Sequence, residues 1–149
     1  MRIVLDAMGS DTHPVPDVTG AVWAARELGV SVILGGDESK IKAELAKHQT
    51  TGLDLSVVHA PTAIGMAEHV EAVKEKKDAS MNIGMKLVKE KQADAFVTAG
   101  NTGAAMAAAI VGPYALGRIR GIKRPALTPI LPTAPGRTLL LDIGANADG

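Results

Sequence analysis

Short apolar runs alternate along the chain with longer stretches in which apolar residues recur at helical spacing. The short runs predict strands, and the longer stretches predict helices between them. Strands are predicted over 2–7, 30–34, 53–59, 94–98, 127–131 and 138–142. Helices are predicted over 18–28, 38–47, 80–91 and 102–116, and the stretch 61–77 is part loop and part short helix. This alternation is typical of an α/β fold with a mostly parallel sheet, and the last two strands are placed to pair as a hairpin.

Two predicted helices have residues at their ends that suit a boundary. Asp17 is placed to cap the first helix, and Gly29 is placed to end it. Asp78 or Ser80 is placed to cap the third helix. The helix that begins at Thr102 has almost no polar side, so we expect it to be covered on several faces and to lie centrally in the fold.

Composition limits the class of protein. An apolar content of 46% over 149 residues fits one compact domain, which we predict to span residues 1–149. Sixteen Lys and Arg balance sixteen Asp and Glu, so no net field attracts a nucleic-acid backbone. One Trp, one Tyr and one Phe leave no stacking platform for single-stranded RNA or DNA. We therefore expect no nucleic acid among the partners.

The chain has no cysteine, which excludes a thiolate nucleophile and a sulfur-ligated metal and suits a reducing cytoplasm. Its four histidines lack metal-ligand spacing, so no metal is expected. No targeting signal is readable after Arg2, because Asp6 interrupts the short apolar run. The charge-free stretch 95–117 is long enough to cross a membrane, but its glycines and Pro113 favour a strand, a turn and a buried helix.

Three segments share one design, in which an apolar strand leads into a loop of small residues with an Asp or Asn. They are 5–11, 97–104 and 142–146. If their strands are parallel, all three loops emerge at the carboxyl edge of one sheet. Ligands of open α/β folds bind in the crevice at that edge.

The middle segment is the sharpest candidate. Gly100 and Gly103 let the backbone approach a ligand, and a helix that opens at Thr102 presents unpaired N–H groups to an anion. Asn101 adds an amide donor, and Thr98 and Thr102 add hydroxyls, so neutral donors could hold a phosphate. The alternative is an ordinary turn between strand and helix, in which Asn101 or Thr102 only caps the helix.

The flanking segments also leave two interpretations open. Asp6 and Asp11 are either turn residues beside Gly9 that bond their own backbone, or one of the two carboxylates is a proton acceptor or an orienting group for a bound donor. Asp142 and Asn146 divide in the same way, since a carboxylate at the end of a buried strand is unfavourable unless it is paired.

Basic residues form two further candidates. A connector carries four that could meet phosphate or an acidic protein partner, or form a solvated loop: Arg118, Arg120, Lys123 and Arg124. Lys76 and Lys77 precede a predicted helix start and could reach an anion, although charge runs usually lie on the surface. A Walker A loop is excluded, because Arg118 and Ile119 stand where Lys and Ser or Thr are required.

Four motifs occur in a fixed order: 6–11 (DAMGSD), 98–104 (TAGNTGA), 124–126 (RPA) and 141–146 (LDIGAN). This ordered set resembles the phosphate acyltransferase (PlsX) family of bacterial phospholipid synthesis. The resemblance spans the whole chain, and AGNTGA is its most specific part. Family members are longer, so the chain is expected to be the N-terminal portion of such an enzyme.

The resemblance implies a reaction, a fold and partners. The reaction transfers a long-chain fatty acyl group from acyl carrier protein to inorganic phosphate, and a membrane-bound glycerol-3-phosphate acyltransferase consumes the acyl phosphate. The fold is a Rossmann-like α/β/α sandwich, similar to phosphotransacetylase and isocitrate dehydrogenase. The resemblance further implies a cytoplasmic homodimer that associates with the inner face of the membrane and uses no organic cofactor or metal.

Roles for single residues follow as a hypothesis. Phosphate is itself the nucleophile, so the enzyme needs placement and oxyanion stabilisation rather than a nucleophilic side chain. Phosphate binding is assigned to Lys77, Ser80, Thr98, Gly100, Asn101, Thr102 and Gly103. Orientation or proton relay is assigned to Asp6, Asn101, Asp142 and Asn146.

The chain departs from the family pattern at three places. The family usually has Gly where Ser10 stands, Ser where Thr98 stands and a Ser pair where Ala79 and Ser80 stand. Ser10 is strained if its position needs a positive φ, and Ala79 removes one donor. Two other functions remain open: a short-chain enzyme like phosphotransacetylase that uses acyl-CoA, and a non-catalytic module that binds phosphate or a phosphorylated metabolite.

Overall fold

The computed structural model describes residues 1–122, 125–134 and 136–140. The strands are β1 (Arg2–Asp6), β2 (Ser31–Gly36), β3 (Leu55–His59), β4 (Ala95–Val97), β5 (Ile130–Thr133) and β6 (Gly136–Leu139). The helices are α1 (Val15–Leu28), α2 (Glu38–Leu45), α3 (Ala72–Glu75), α4 (Ser80–Lys89) and α5 (Thr102–Val111).

The chain divides into two compact units, Met1–Gly117 and Arg118–Gly149. The first unit holds β1 to β4 with α1 to α5, and the described part of the second unit holds β5 and β6. That residues 1–149 act as a single domain stays a prediction.

The first unit is built on a four-stranded sheet in the order β3-β2-β1-β4. Every pairing in it is parallel, and Val4 of β1 faces Ile33 on one side and Phe96 on the other. The predicted α/β class with a mostly parallel sheet is therefore confirmed. In the second unit β5 and β6 pair antiparallel, which confirms the predicted hairpin.

Helices cover both faces of the sheet, as alternation of side chains along the strands requires. On one face α1 and α2 enclose a buried aliphatic cluster: Ala7, Val18, Ala21, Ala25, Val32, Leu34 and Ile41. On the other face Val4 packs with Leu87 of α4 and with Ala93. Beside α4, the helices α3 and α5 add a third cluster that includes Val73, Met81 and Ala108. This layering is consistent with a Rossmann-like sandwich.

Two of the predicted caps are wrong. The helix α1 begins at Val15 with Pro14 as its N-cap, because Pro16 fits the first turn of a helix, and Asp17 lies inside that turn. The N-cap of α4 is Ala79, without a capping side chain. Asp78 instead accepts a hydrogen bond from Thr62 at 2.9 Å. Gly29 ends α1 as predicted, with φ at +62°.

The last helix is shorter and less covered than its composition predicts. It ends at Val111, because Gly112 and Pro113 cannot continue it. Among its described residues only Ala104 and Ala108 are buried, so the expectation of a helix covered on several faces is wrong. Alanine makes a helix apolar on every side, and here Ala105, Ala107 and Ala109 are only partly buried against the cluster that holds Ala104 and Ala108. In the described ranges, no helix combines the length and the apolar character that crossing a bilayer requires.

We expect Gly84→Ala to destabilise the fold, because α4 packs Gly84 against an aromatic ring. A Cβ built there lies 2.5 Å from Cδ2 of Phe96. The ring must move, which costs about 1–3 kcal/mol of unfolding free energy. Gly20→Ala in α1 is the matched control, since nothing lies within 4 Å of its Cβ. It should gain up to about 1 kcal/mol from helix propensity. Urea denaturation measures both, and equal effects would contradict this packing.

Candidate functional site

Two of the three predicted loops lie side by side. Leu5 of β1 pairs in parallel with Val97 of β4. The first loop (residues 7–14, between β1 and α1) and the glycine loop (residues 98–101, between β4 and α5) therefore leave the same edge of the sheet. Four predicted site residues lie outside the described residues: Lys123, Arg124, Asp142 and Asn146. Arg118 and Arg120 are exposed in the second unit.

A chain of hydrogen bonds joins the two loops. Asp6, only 3% exposed, accepts from the Thr98 hydroxyl at 2.9 Å and from the Met8 amide at 3.1 Å. The Thr98 oxygen in turn accepts from the Gly100 amide at 2.9 Å. A hydroxyl has one proton, so giving it to Asp6 turns a lone pair toward Gly100. The buried carboxylate is satisfied, and the Gly100 amide is committed inside its own loop.

Two glycines make the close approach of these loops possible. A Cβ at Gly9 would lie 2.6 Å from the Thr98 Oγ1 and 2.9 Å from the Gly100 nitrogen. A Cβ at Gly100 would lie 3.2 Å from the Cα and the carbonyl oxygen of Gly9. A Cβ at Gly9 would force its neighbours to move, and a Cβ at Gly100 would lie closer to Gly9 than ordinary van der Waals contact allows. In the sequence Gly9 is only the neighbour of two candidate turn residues, and no local signal predicts this contact.

Asn101 caps α5, which is the alternative that the sequence left open. Its Oδ1 accepts from the Ala104 amide at 3.0 Å. Its Nδ2 donates to the carbonyl oxygens of Gly65, Met66 and Glu68 at 3.4, 3.2 and 3.0 Å. Asn101 therefore ties the glycine loop to the 61–71 segment (between β3 and α3). Its contact with phosphate stays a prediction, as do those of Thr98 and Gly100.

The open donors next to the glycine loop are backbone amides in the first turn of α5. Within the part of the chain that the structure describes, the amides of Thr102 and Gly103 have no acceptor. Thr102 is exposed, and the first turn of α5 contains no acidic residue. The N-terminus of a helix carries a partial positive charge. These amides are therefore available to an anion.

A cleft of about 190 Å³ separates the first loop from the 61–71 segment. Its lining residues are Met8, Gly9, Ser10, Asp11, His13, Ala63, Ile64, Gly65 and Met66. The glycine loop touches both walls, through the close approach at Gly9 and through the donation from Asn101 to Gly65 and Met66. Asp11 is exposed on this cleft.

Ser80, the first residue of α4, lies at the same edge of the sheet. Ser80 is 1% exposed, and its carbonyl lies 3.9 Å from a Cβ built on Gly35, at the end of β2. Its hydroxyl has no hydrogen-bond partner among the described residues. Lys77 is exposed. Lys76 donates to the carboxylate of Glu68 at 2.5 Å, and this ammonium lowers the pKa of Glu68.

A buried carboxylate that the sequence did not mark as functional supports the first loop. The Ser10 hydroxyl donates to Asp17 at 2.5 Å, and Asp17 is 6% exposed. Burial raises the pKa of Asp17, the Ser10 hydrogen bond opposes that shift, and the Asp6 carboxylate adds to it. Ser10 is not in the left-handed region, so the expected strain is absent at this residue. A Ser seven positions before an Asp gives no local signal for this pair.

Comparison with known proteins supplies a family. The sequence pattern described as "Fatty acid synthesis protein" matches residues 1–149. A protein named phosphate acyltransferase from Herpetosiphon aurantiacus is 54% identical over 149 residues, 99% of this chain and 40% of the relative. Proteins of that name from Geotalea daltonii and Geobacter sulfurreducens are 50% and 48% identical, and the match covers 42% of each. The chain therefore spans about two fifths of the length of these curated relatives.

Asn101→Ala should destabilise both the start of α5 and the 61–71 segment. Loss of the cap lowers the free energy of unfolding by about 1 kcal/mol. Loss of the three donations to the 61–71 segment should increase hydrogen exchange there. Asn101→Ser keeps a capping oxygen but cannot reach those carbonyls, so it should restore protection in α5 only. Exchange measured peptide by peptide checks this, and restoration of both elements by Ser would refute the tie.

Asp17→Asn should stabilise the fold at neutral pH. The folded pKa of Asp17 lies above its unfolded value, so the protonated form favours the fold. That contribution is complete at acid pH and is lost as the pH rises through the folded pKa. Asparagine does not ionise and still accepts from Ser10. The gain in Tm over the parent should therefore be present at neutral pH and disappear on acidification, and a gain that grows on acidification would contradict the sign.

Proposed function

This chain belongs to the fatty acid synthesis protein family, and on that premise we propose that the protein carrying it is an acyltransferase that uses inorganic phosphate as its acceptor. The acyl group comes from a long-chain thioester of acyl carrier protein, and the product is an acyl phosphate for phospholipid synthesis. The observation that carries this proposal is the pair of amides at Thr102 and Gly103, which have no acceptor among the described residues.

The chemistry needs phosphate held in place more than it needs a reactive side chain. A phosphate oxygen attacks the thioester carbonyl, a C–O bond forms, and an oxyanion develops on the carbonyl oxygen. Collapse of that oxyanion breaks the C–S bond, and the thiolate leaves and takes up a proton. Fixed amides that orient the attacking phosphate lower the barrier by removing its motional freedom, and donors near the oxyanion lower it further.

In this proposal the phosphate rests on the amides of Thr102 and Gly103. Ser80 supports it with a buried hydroxyl that lacks a partner in the described ranges, and Lys77 supports it with an exposed ammonium. Asn101, Thr98 and Gly100 act on the same anion by shaping the loop beneath it. Asp6 orients the site, and Asp142 and Asn146, outside the described residues, orient donors or relay protons.

The partners belong to the same proposal. The basic connector meets the acyl carrier protein: Arg118, Arg120, Lys123 and Arg124. A membrane-bound glycerol-3-phosphate acyltransferase consumes the product, so the enzyme works in the cytoplasm at the membrane surface. In this proposal the chain is the N-terminal portion of a longer enzyme, and its coverage of about two fifths of its relatives supports the greater length. The proposal also includes a homodimer. The remaining portion contributes to acyl and carrier-protein binding.

Thr102→Pro in the full-length protein removes the backbone N–H of residue 102 and so tests the role of that amide. Thr102 is the first residue of α5, where proline is tolerated, and Asn101 before it has φ −59° and ψ 110°, close to the conformation that proline favours. The helix should persist while one donor to phosphate is lost. A hydrogen bond to a charged group contributes about 1.5–3 kcal/mol, so KM for phosphate should rise by roughly ten- to hundredfold.

Thr102→Ala is the matched control, because it removes the hydroxyl and keeps the amide. The proposal expects a much smaller rise in KM for this variant. An unchanged phosphate dependence of Thr102→Pro would place the phosphate elsewhere. The unmodified enzyme is assayed with long-chain acyl carrier protein and with short-chain acyl-CoA, and a preference for acyl-CoA would replace the proposed donor. Binding of phosphate without acyl release from any thioester would indicate a binding module instead.

A further inference from the structure

We propose that Gly9 is a positioning residue, whose bare Cα sets where the N-terminal amides of α5 lie, and that Ser10 and Asp17 hold Gly9 in place from the side of α1. This inference rests on the proposed function, because those amides are the phosphate-binding donors. It assigns a role to three residues that do not themselves contact phosphate.

The space around Gly9 is too small for a Cβ. A Cβ on Gly9 would meet the Thr98 oxygen at 2.6 Å, the Gly100 nitrogen at 2.9 Å and Asp6 Oδ2 at 3.1 Å. These are the three groups that form the hydrogen-bond chain between the loops. Gly9 is not among the residues with a positive φ. Glycine is therefore required here by close approach and not by backbone conformation.

The close approach at Gly9 is connected to the start of α5 through the Thr98 oxygen. Ordinary van der Waals contact begins at 3.4 Å, so a methyl group on Gly9 must push the Thr98 oxygen away by about 0.8 Å. That oxygen accepts the hydrogen bond of Gly100, and Gly100 directly precedes the Asn101 cap. A shift of the glycine loop therefore shifts the start of α5. Displacements of about 1 Å can reduce catalysis by about a hundredfold.

The position of Gly9 is supported from the side of α1, through its neighbour Ser10. Its neighbour Ser10 donates to the buried Asp17 at 2.5 Å. The Ser10 carbonyl accepts from the His13 amide at 3.3 Å and lies 2.9 Å from the His13 Nδ1. A buried carboxylate is unfavourable for stability unless it is paired, and here its hydroxyl partner belongs to the first loop. The first loop is thus held between α1 on one side and the glycine loop on the other.

The test compares Gly9→Ala with Gly20→Ala in the full-length protein. Titration calorimetry with inorganic phosphate gives Kd, steady-state kinetics separate KM from kcat, and circular dichroism reports folding. Gly9→Ala should raise Kd and KM for phosphate by about tenfold or more, following the displacement of the amides. Gly20→Ala adds the same methyl group to α1 in open space and should leave both constants unchanged.

Ser10→Ala is a second test of the positioning role, in case Gly9→Ala fails to fold. It removes only the donation to Asp17 and should raise Kd for phosphate by up to about fivefold, since a typical hydrogen bond contributes about 1 kcal/mol. Ser56→Ala on β3 is its control, because Ser56 is exposed and remote from the loops. Hydrogen exchange at 98–105 should increase in Ser10→Ala and stay constant in Ser56→Ala.

The outcomes separate the two proposals. If the parent protein shows no saturable phosphate binding, the proposed function fails and this inference fails with it. If the parent binds phosphate and Thr102→Pro weakens that binding, the function stands. In that case, a folded Gly9→Ala or Ser10→Ala with the Kd and the exchange of the parent would overturn the positioning role alone.

Discussion

The hydrogen bond between the Thr98 hydroxyl and the Asp6 carboxylate joins residues 92 positions apart and fixes the edge of the sheet that carries the site. It exists because β1 and β4 are adjacent and parallel, so that both strands end at the same level. A carboxylate at the end of a buried strand must be paired, and the nearest donor belongs to the other loop. The hydrogen bond that satisfies the buried Asp6 carboxylate is therefore the same one that joins the two loops.

That constraint divides the donors of the glycine loop and of the first turn of α5 into two groups. The Gly100 amide and the Asn101 side chain are committed to structure, the first within its loop and the second toward the 61–71 segment. The amides of Thr102 and Gly103 stay open in the described structure. Because the Gly100 amide and the Asn101 side chain are held by hydrogen bonds, the open amides that follow them do not have to move when they bind an anion. Binding of a strongly hydrated anion requires donors that are fixed in this way. Neutral donors are enough for this role when a helix N-terminus adds its partial charge.

Small residues bring the layers close enough for this arrangement. Gly84 lets α4 approach the ring of Phe96, and Ala104 and Ala108 are the buried residues of α5. The low aromatic content of the chain is thus a property of its packing, in which glycine and alanine allow backbone to approach backbone. The same principle acts at a finer scale where Gly9 meets Gly100.

Much of this fold could be predicted from the sequence, because the relevant signals are local. The apolar periods predicted the strands and helices, Gly29 marked the end of α1, and Asn101 and Thr102 marked the start of α5. Boundaries failed where two local signals competed, as when Pro16 started α1 before the expected Asp17 cap. The resemblance of the loop motifs to a family was also readable from the residues alone.

The sequence by itself determined the order of the elements, the parallel sheet and the small-residue loops that leave its carboxyl edge, since each depends on neighbours along the chain. Only the tertiary structure decided which donors of those loops stay open. The carbonyl oxygens to which Asn101 Nδ2 donates lie more than thirty positions before it, and Gly9 closely approaches the glycine loop about ninety positions after it. Such pairings depend on how distant segments meet in three dimensions, and no local pattern encodes them.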